Sequence, residues 1–174
     1  MENPLESAAR WLGILSSGFL IGEEAEASAK ILQRVLGPQA LSELRQWFAS
    51  ADPKDTREAR VAAVEACIAI VRGDREVGDL EREAVERIIL LSDLDDETQA
   101  SLQKHIDSDV SLEGMAARLT QPALRDALLV LAWQVARADG RVTPEEAGVY
   151  GLLADQLGVS PTRANELRAK LTTA

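Results

Sequence analysis

Apolar residues recur at the three- and four-residue spacing of an α-helix along nearly all of this chain, and no segment alternates apolar and polar residues as a strand would. Ala, Leu, Glu and Arg, which are all good helix formers, dominate the composition. With 46% hydrophobic and 28% charged residues, the 174-residue chain can bury a core and does not have the composition of a disordered tail. The sequence therefore predicts an all-α fold.

The chain contains an internal repeat. Residues 59–109 align without a gap with residues 124–174, at an offset of 65. The clearest match is the pattern R-x-D-x-x-V-x-x-x-E, which begins at Arg72 in the first copy and at Arg137 in the second. Each copy has the pattern of a long apolar helix, a loop, an amphipathic helix, a short turn and a third helix. Because such units cannot bury their apolar faces alone, we expect two three-helix repeats packed about a pseudo-twofold axis.

The most linker-like stretch, ASADPKD, lies at residues 49–55 and sets the predicted domain boundary. Residues 1–50 are predicted to be an accessory N-terminal helical region. Residues 56–172 are predicted to be the main helical domain, with repeat 1 at about 56–107 and repeat 2 at about 121–172.

An apolar run, residues 9–22, lies within the N-terminal region. It is shorter than the roughly 20 apolar residues that span a bilayer. Glu2 and Glu6 precede it, where a signal peptide would carry basic residues. A core helix is therefore the preferred interpretation of this run.

The second copy of the repeat pattern contains the segment Thr143-Pro144-Glu145-Glu146. Thr at the N-cap, Pro at the first helical position and Glu at the third predict a capping box, in which Glu146 bonds back to the Thr143 amide. In the first copy Gly78 takes the N-cap place and Glu81 the third helical position, which predicts a weaker cap. On this interpretation both glutamates have a structural role without any metal.

A calcium loop is a second interpretation of the same segment. With Gly140 at the sixth of the twelve EF-hand positions, Asp139 is fifth and Glu146 twelfth. The first and third positions are Val135 and Arg137, whose side chains cannot bind calcium. A self-contained EF-hand is therefore not expected.

A third interpretation brings the two loops together. If they face each other, four carboxylates converge, and these would repel unless protonated, paired with arginine or neutralised by a hard divalent cation such as calcium. Arg72 and Arg137, each two residues before an aspartate, could supply a metal-free network of salt bridges. Caps with salt bridges, or a cation site, both remain open at this stage. The candidate metal ligands are Asp139, Glu146, Asp74 and Glu81.

The net charge of −10, with 19 basic and 29 acidic residues, argues against nucleic acid as a partner, because phosphate binding needs a cationic surface. Contact with anionic membranes is disfavoured for the same reason, whereas divalent cations and proteins suit this charge. The single cysteine, Cys67, excludes an intramolecular disulfide, fits a reducing cytoplasm and is expected to be buried. The single histidine, His105, has no metal-binding pattern around it and is expected at the surface.

The stretch ARADGRVTPEEAGVYGLLADQLGVSP, residues 136–161, resembles the TerB-like family, an all-helical domain first associated with tellurite resistance. Members carry an apolar helix ending in ADG, then an apolar residue, then S/T-P-E-E opening a helix that ends near LG-[hydrophobic]-S. The first copy follows the same plan, with Arg75 where the family has Gly and with Gly78-Asp79-Leu80 in place of S/T-P-E. The resemblance covers about residues 56–172. It implies a bundle of seven to eight helices, a cytoplasmic location, a stress-associated role and an acidic, metal-binding patch, without an established catalytic reaction.

The sequence favours a non-enzymatic module that acts through a protein partner and carries an acidic patch for a divalent cation. The sequence shows no nucleophile–base constellation, so no catalytic residue is predicted. Two alternatives remain open. One is a carboxylate-bridged metallohydrolase, in which the four acids would hold metal and activate water. The other is a membrane-peripheral structural protein that uses the apolar N-terminal helix. The oligomeric state is left open.

Overall fold

The computed structural model describes residues 33–73, 75–90, 92, 94–137 and 139–172. The described part of the chain is helical throughout and contains no strand, which confirms the predicted all-α fold. The predicted core helix at residues 9–22 lies outside the described residues. Residues 33–36 are helical, and eight further helices follow: α1 (Pro38–Ser50), α2 (Pro53–Val71), α3 (Asp79–Leu90), α4 (Asp96–His105), α5 (Met115–Arg118), α6 (Pro122–Ala136), α7 (Pro144–Gln156) and α8 (Pro161–Thr172).

Proline and glycine set many of the helix boundaries. Five of the helices begin with a proline, whose fixed φ suits the first turn and whose missing N–H would have no partner there. Gly158 follows the end of α7 with φ +71°, a left-handed conformation in which the missing Cβ avoids strain. Ser160 caps α8 by accepting a hydrogen bond from the Arg163 N–H at 3.1 Å. The linker-like stretch 49–55 contains only a two-residue break between α1 and α2.

Two apolar helices, α2 and α6, pack against each other at the centre of the bundle. In α6 only Pro122 is exposed, and in α2 no residue beyond Arg57 is exposed. Helices α3 and α7 each contact both of these central helices, and α8 covers α6 and α7. The core therefore surrounds the α2–α6 pair, and the loops that leave these two helices are anchored to its most buried part.

Salt bridges hold the segment between the two copies of the sequence pattern against α2. Arg118 of α5 donates to Glu58 at 2.6 Å and also pairs with Glu65. Arg125 of α6 donates through Nε to the Leu119 carbonyl oxygen at 2.6 Å. Hydrogen bonds with a charged partner are among the stronger ones, so this connection is held firmly against the bundle.

None of the described helices has the length and apolar character needed to cross a membrane.

Trp133 of α6 is only 7% exposed. Its ring makes an edge contact with Tyr150 of α7, with the ring centroids 4.9 Å apart. The guanidinium of Arg168 in α8 lies 5.5 Å from the centre of the indole. One side chain thus joins α6, α7 and α8.

Trp133→Ala is expected to lower the free energy of unfolding by about 3–5 kcal/mol, because it removes a large side chain from a packed core. Chemical denaturation followed by circular dichroism measures this change. Leu90→Ala is the control, since Leu90 is 61% exposed, and a change within about 0.5 kcal/mol is expected there. Similar losses in both variants would contradict the central role of Trp133.

Candidate functional site: an acidic pocket between two loops

The loops that follow α2 and α6 share their backbone conformation. The first residue of each, Arg72 and Arg137, has φ near −90° and ψ near zero: −90° and 5°, and −88° and 7°. The N–H of Arg75 donates to the Arg72 carbonyl, and the N–H of Gly140 to that of Arg137, both at 2.9 Å. Arg75 and Gly140 also share a positive φ, of 66° and 88°. The correspondence predicted from the 65-residue offset therefore extends to individual hydrogen bonds in these loops.

A glutamate caps the helix that follows each loop. Thr143 Oγ1 accepts from the Glu146 N–H, and Glu146 Oε2 accepts from the Thr143 N–H, both at 3.1 Å. This confirms the predicted capping box of α7. In α3, Glu81 Oε2 accepts from the Gly78 N–H at 2.8 Å. Gly78 has no side chain to accept a bond in return, so this is the weaker cap that the sequence predicted. Glu81 and Glu146 are only 3% and 1% exposed, so each carboxylate enters the protein interior and is held by backbone amides.

The first loop packs tightly on the start of α7. A Cβ atom added to Gly73 would lie 3.0 Å from both the Cα and the N of Glu146 and 3.1 Å from the carbonyl carbon of Glu145. These distances are tighter than ordinary Cβ contacts, so a side chain at this position would require the first loop or the start of α7 to shift. The contact brings the two loops together, as the sequence predicted.

The two loops line one open pocket of about 470 Å³. Three of the four predicted acids, Glu81, Asp139 and Glu146, are among its lining residues, while Asp74 lies outside the described residues. Glu76 is the other acid of this pocket. It lies at a variable position of the repeated pattern, where the second copy has Arg141, so the pattern could not identify it. The lining residues are Glu76, Gly78, Glu81, Asp139, Arg141, Val142, Thr143, Pro144 and Glu146.

Within the part of the chain that the structure describes, no group of three or more His, Cys, Asp or Glu side chains is arranged to hold a metal ion. Asp139 is exposed, and its Oδ1 accepts from the Arg141 N–H at 2.9 Å, which shapes the turn. Asp74, one of the four predicted ligands, lies outside the described residues, so the predicted cluster is not tested and the cation site remains a prediction.

The structure describes other partners for Arg72 and Arg137, the two arginines that could serve as counterions in the metal-free interpretation. Arg72 pairs with Asp109 at 3.1 Å, and Arg137 donates to the Leu171 carbonyl oxygen at 3.2 Å. Both side chains bridge to segments that are distant in sequence. Arg72 lines a second pocket together with Asp109 instead of the acidic one.

The single cysteine and the single histidine of the chain lie in different surroundings. Cys67 is fully buried in α2, and this burial raises the pKa of its thiol to about 12, so it stays protonated at neutral pH. His105 is exposed at the end of α4, as predicted. A buried thiol and an exposed imidazole do not form a nucleophile–base pair.

Gly73→Ala is expected to destabilise the protein by about 1–3 kcal/mol, because the new methyl group must push the first loop away from the α7 backbone. Gly148→Ala is the matched control within α7, since nothing lies within 4 Å of a Cβ added there. That change is expected to stabilise by about 0.5–1 kcal/mol through helix propensity. Urea unfolding curves measure both values, and equal effects of the two substitutions would rule out the close loop–helix contact.

Comparison with known protein families agrees with the helical fold. The model of the family described as tellurite resistance protein TerB matches residues 60–169, a span that includes both loops and every residue lining the pocket. No curated protein and no solved structure matches the chain. Because the family match covers more than half of its length, this protein belongs to the tellurite resistance protein TerB family.

Proposed function

We propose that this chain is a non-enzymatic, stress-associated module of the tellurite-resistance type that acts by binding a protein partner, and that its acidic pocket takes a divalent cation. The observation that carries the proposal is the pocket itself, in which both loops place carboxylates around one space of about 470 Å³. Family membership supports the tellurite-resistance-like role. The pocket supplies a physical reason for cation dependence.

The proposed cation would act by joining the two loops. Hard divalent cations take oxygen ligands from carboxylates, backbone carbonyls and water, and flexible loops suit their coordination. Glu81 and Glu146 are fixed by their caps, whereas Asp139 is exposed on the turn. We place Asp139 and Glu146 as the better-formed half of the site and Asp74 and Glu81 as the other half. Collecting acids in one pocket of a chain with net charge −10 favours a cation there.

The architecture around the pocket supports a further part of the proposal. Helices α2–α4 and α6–α8 are proposed to be two three-helix units related by a pseudo-twofold axis. Helix α7 begins 65 residues after α3, and α8 begins 65 residues after α4, as the sequence offset requires. On this arrangement the axis passes near the pocket, because each unit contributes its loop and its capping glutamate to it.

A protein partner is proposed in preference to a substrate because the described residues present charge and shape without a reactive pair. The pocket is open, and its lining contains four acidic residues, one arginine (Arg141) and several uncharged residues. A bound cation would alter the charge of the surface that the partner meets. Binding could then respond to the cation concentration, as electrostatic complementarity controls which charged surfaces associate.

The cation part of the proposal is tested by thermal unfolding of the full chain with calcium, magnesium, manganese or zinc, each compared with a chelator. An ion that binds only the native state stabilises it by mass action. At a hundred times the dissociation constant this gives about 2.7 kcal/mol, and hence a rise in melting temperature of roughly 5–10 °C. Asp139→Asn and Glu146→Gln are expected to remove most of this rise.

Glu145→Gln is the matched control. Glu145 lies in the same first turn of α7 but does not line the pocket, so this variant loses the same charge and should keep the ion response. Gln can also serve in a capping box, so Glu146→Gln should retain the α7 cap while losing a charged ligand. If no ion raises the melting temperature of the unmodified protein, or if both pocket variants respond as it does, the cation site is refuted.

A further inference from the structure

The first loop faces two pockets, and only one of them is explained by the acidic site. Glu76, Gly78 and Glu81 line the acidic pocket, whereas Arg72, Gly73 and Arg75 line a separate groove of about 450 Å³. Arg75 stands at the position that Gly140 occupies in the second loop. Its backbone takes the left-handed φ of +66° that Gly140 adopts at the same place in the second loop. A strained arginine that replaces a strain-free glycine suggests that its side chain has a use in this groove.

The groove combines an apolar wall with a charged rim. Its wall includes Leu152 of α7, which is 61% exposed, and an exposed leucine beside other apolar side chains is surface that gains from being covered. Leu80 and Leu90 are also exposed, but neither lines this groove. The apolar lining residues are Ala69, Val110, Leu112, Val149 and Leu152.

Among the described residues that line the groove, two are basic and two are acidic, so their charges balance, unlike those of the whole chain. Two of them, Arg72 and Asp109, form an ion pair at 3.1 Å. The other two, Arg75 and Glu113, are exposed, and the described part of the chain shows no ion pair for either. The groove therefore presents one cation and one anion for a partner, on a chain whose net charge is −10.

We propose that a second copy of this chain covers the groove in an isologous dimer. In such a dimer the same patch faces itself across a twofold axis, so each charge meets its opposite if the patch carries both signs. Arg75 would then face Glu113 of the second copy, and Glu113 would face Arg75. The two Leu152 side chains would cover each other between these pairs. Two acidic chains repel over most of their surface, and this balanced groove is a place where they can approach.

Sedimentation equilibrium of the full chain tests the proposal, at about 0.15 M salt to screen the long-range repulsion. The average mass should rise from 18.8 kDa toward twice that value between about 10 µM and 1 mM protein, the range expected for a small interface. Arg75→Glu alone and Glu113→Arg alone should each weaken association about tenfold or more, because like charges then face each other. The double variant Arg75→Glu with Glu113→Arg should restore it, since the pair is reversed on both sides.

Leu152→Ser should also weaken the dimer about tenfold, whereas Leu90→Ser should not. Both leucines are 61% exposed, which makes the second an equal control outside the groove. Circular dichroism melts of each variant verify that it is folded. A monomer at 1 mM overturns the proposal, as does a dimer that is unaffected by Leu152→Ser or one that the double charge reversal fails to restore. These outcomes do not depend on the ion response of the acidic pocket, so the two proposals fail separately.

Discussion

The packing of α2 against α6 is the constraint on which the rest of the structure depends. Most residues of both helices are buried, and each helix is covered by the other and by the amphipathic helices around them. They also end in the same way, with Arg72 and Arg137 at nearly identical backbone angles. The loops therefore leave the core with a common geometry. Each loop then delivers a glutamate to the start of the next helix, and this places the carboxylates of the acidic pocket.

The buried glutamates show how a polar site can be built against an apolar core. A carboxylate that leaves water loses hydration and must regain hydrogen bonds inside the protein. Glu81 and Glu146 do so with backbone N–H groups of their own helix starts, at 2.8 and 3.1 Å. The capping geometry thus stabilises the helices and also fixes where the negative charge lies. The contact of Gly73 with the α7 backbone then brings the two loops together.

The features that the sequence predicted correctly depend on neighbours within a few residues. Proline marked helix starts, and Thr143 with Glu146 marked a capping box, because each signal is complete within one turn of helix. The partners of Arg72 and Arg137 were missed because these contacts are tertiary. Arg72 reaches Asp109, 37 residues away, and Arg137 reaches the Leu171 carbonyl, 34 residues away. The repeat pattern predicted that the loops meet, but it could not predict that arginine side chains would point to other segments.

The two loops share the backbone features described above but differ in their side chains. A left-handed residue is required at the same place in both, and glycine meets this requirement at position 140 without strain. Arginine at position 75 costs on the order of 1 kcal/mol in backbone energy, by the usual penalty for a left-handed residue with a Cβ. Arg75 lines a groove that is separate from the acidic pocket. The first loop leads into Glu81, which lines the acidic pocket, and two arginines of the loop, Arg72 and Arg75, line the neighbouring groove. Two loops with similar backbone conformations can therefore present different side chains to neighbouring pockets.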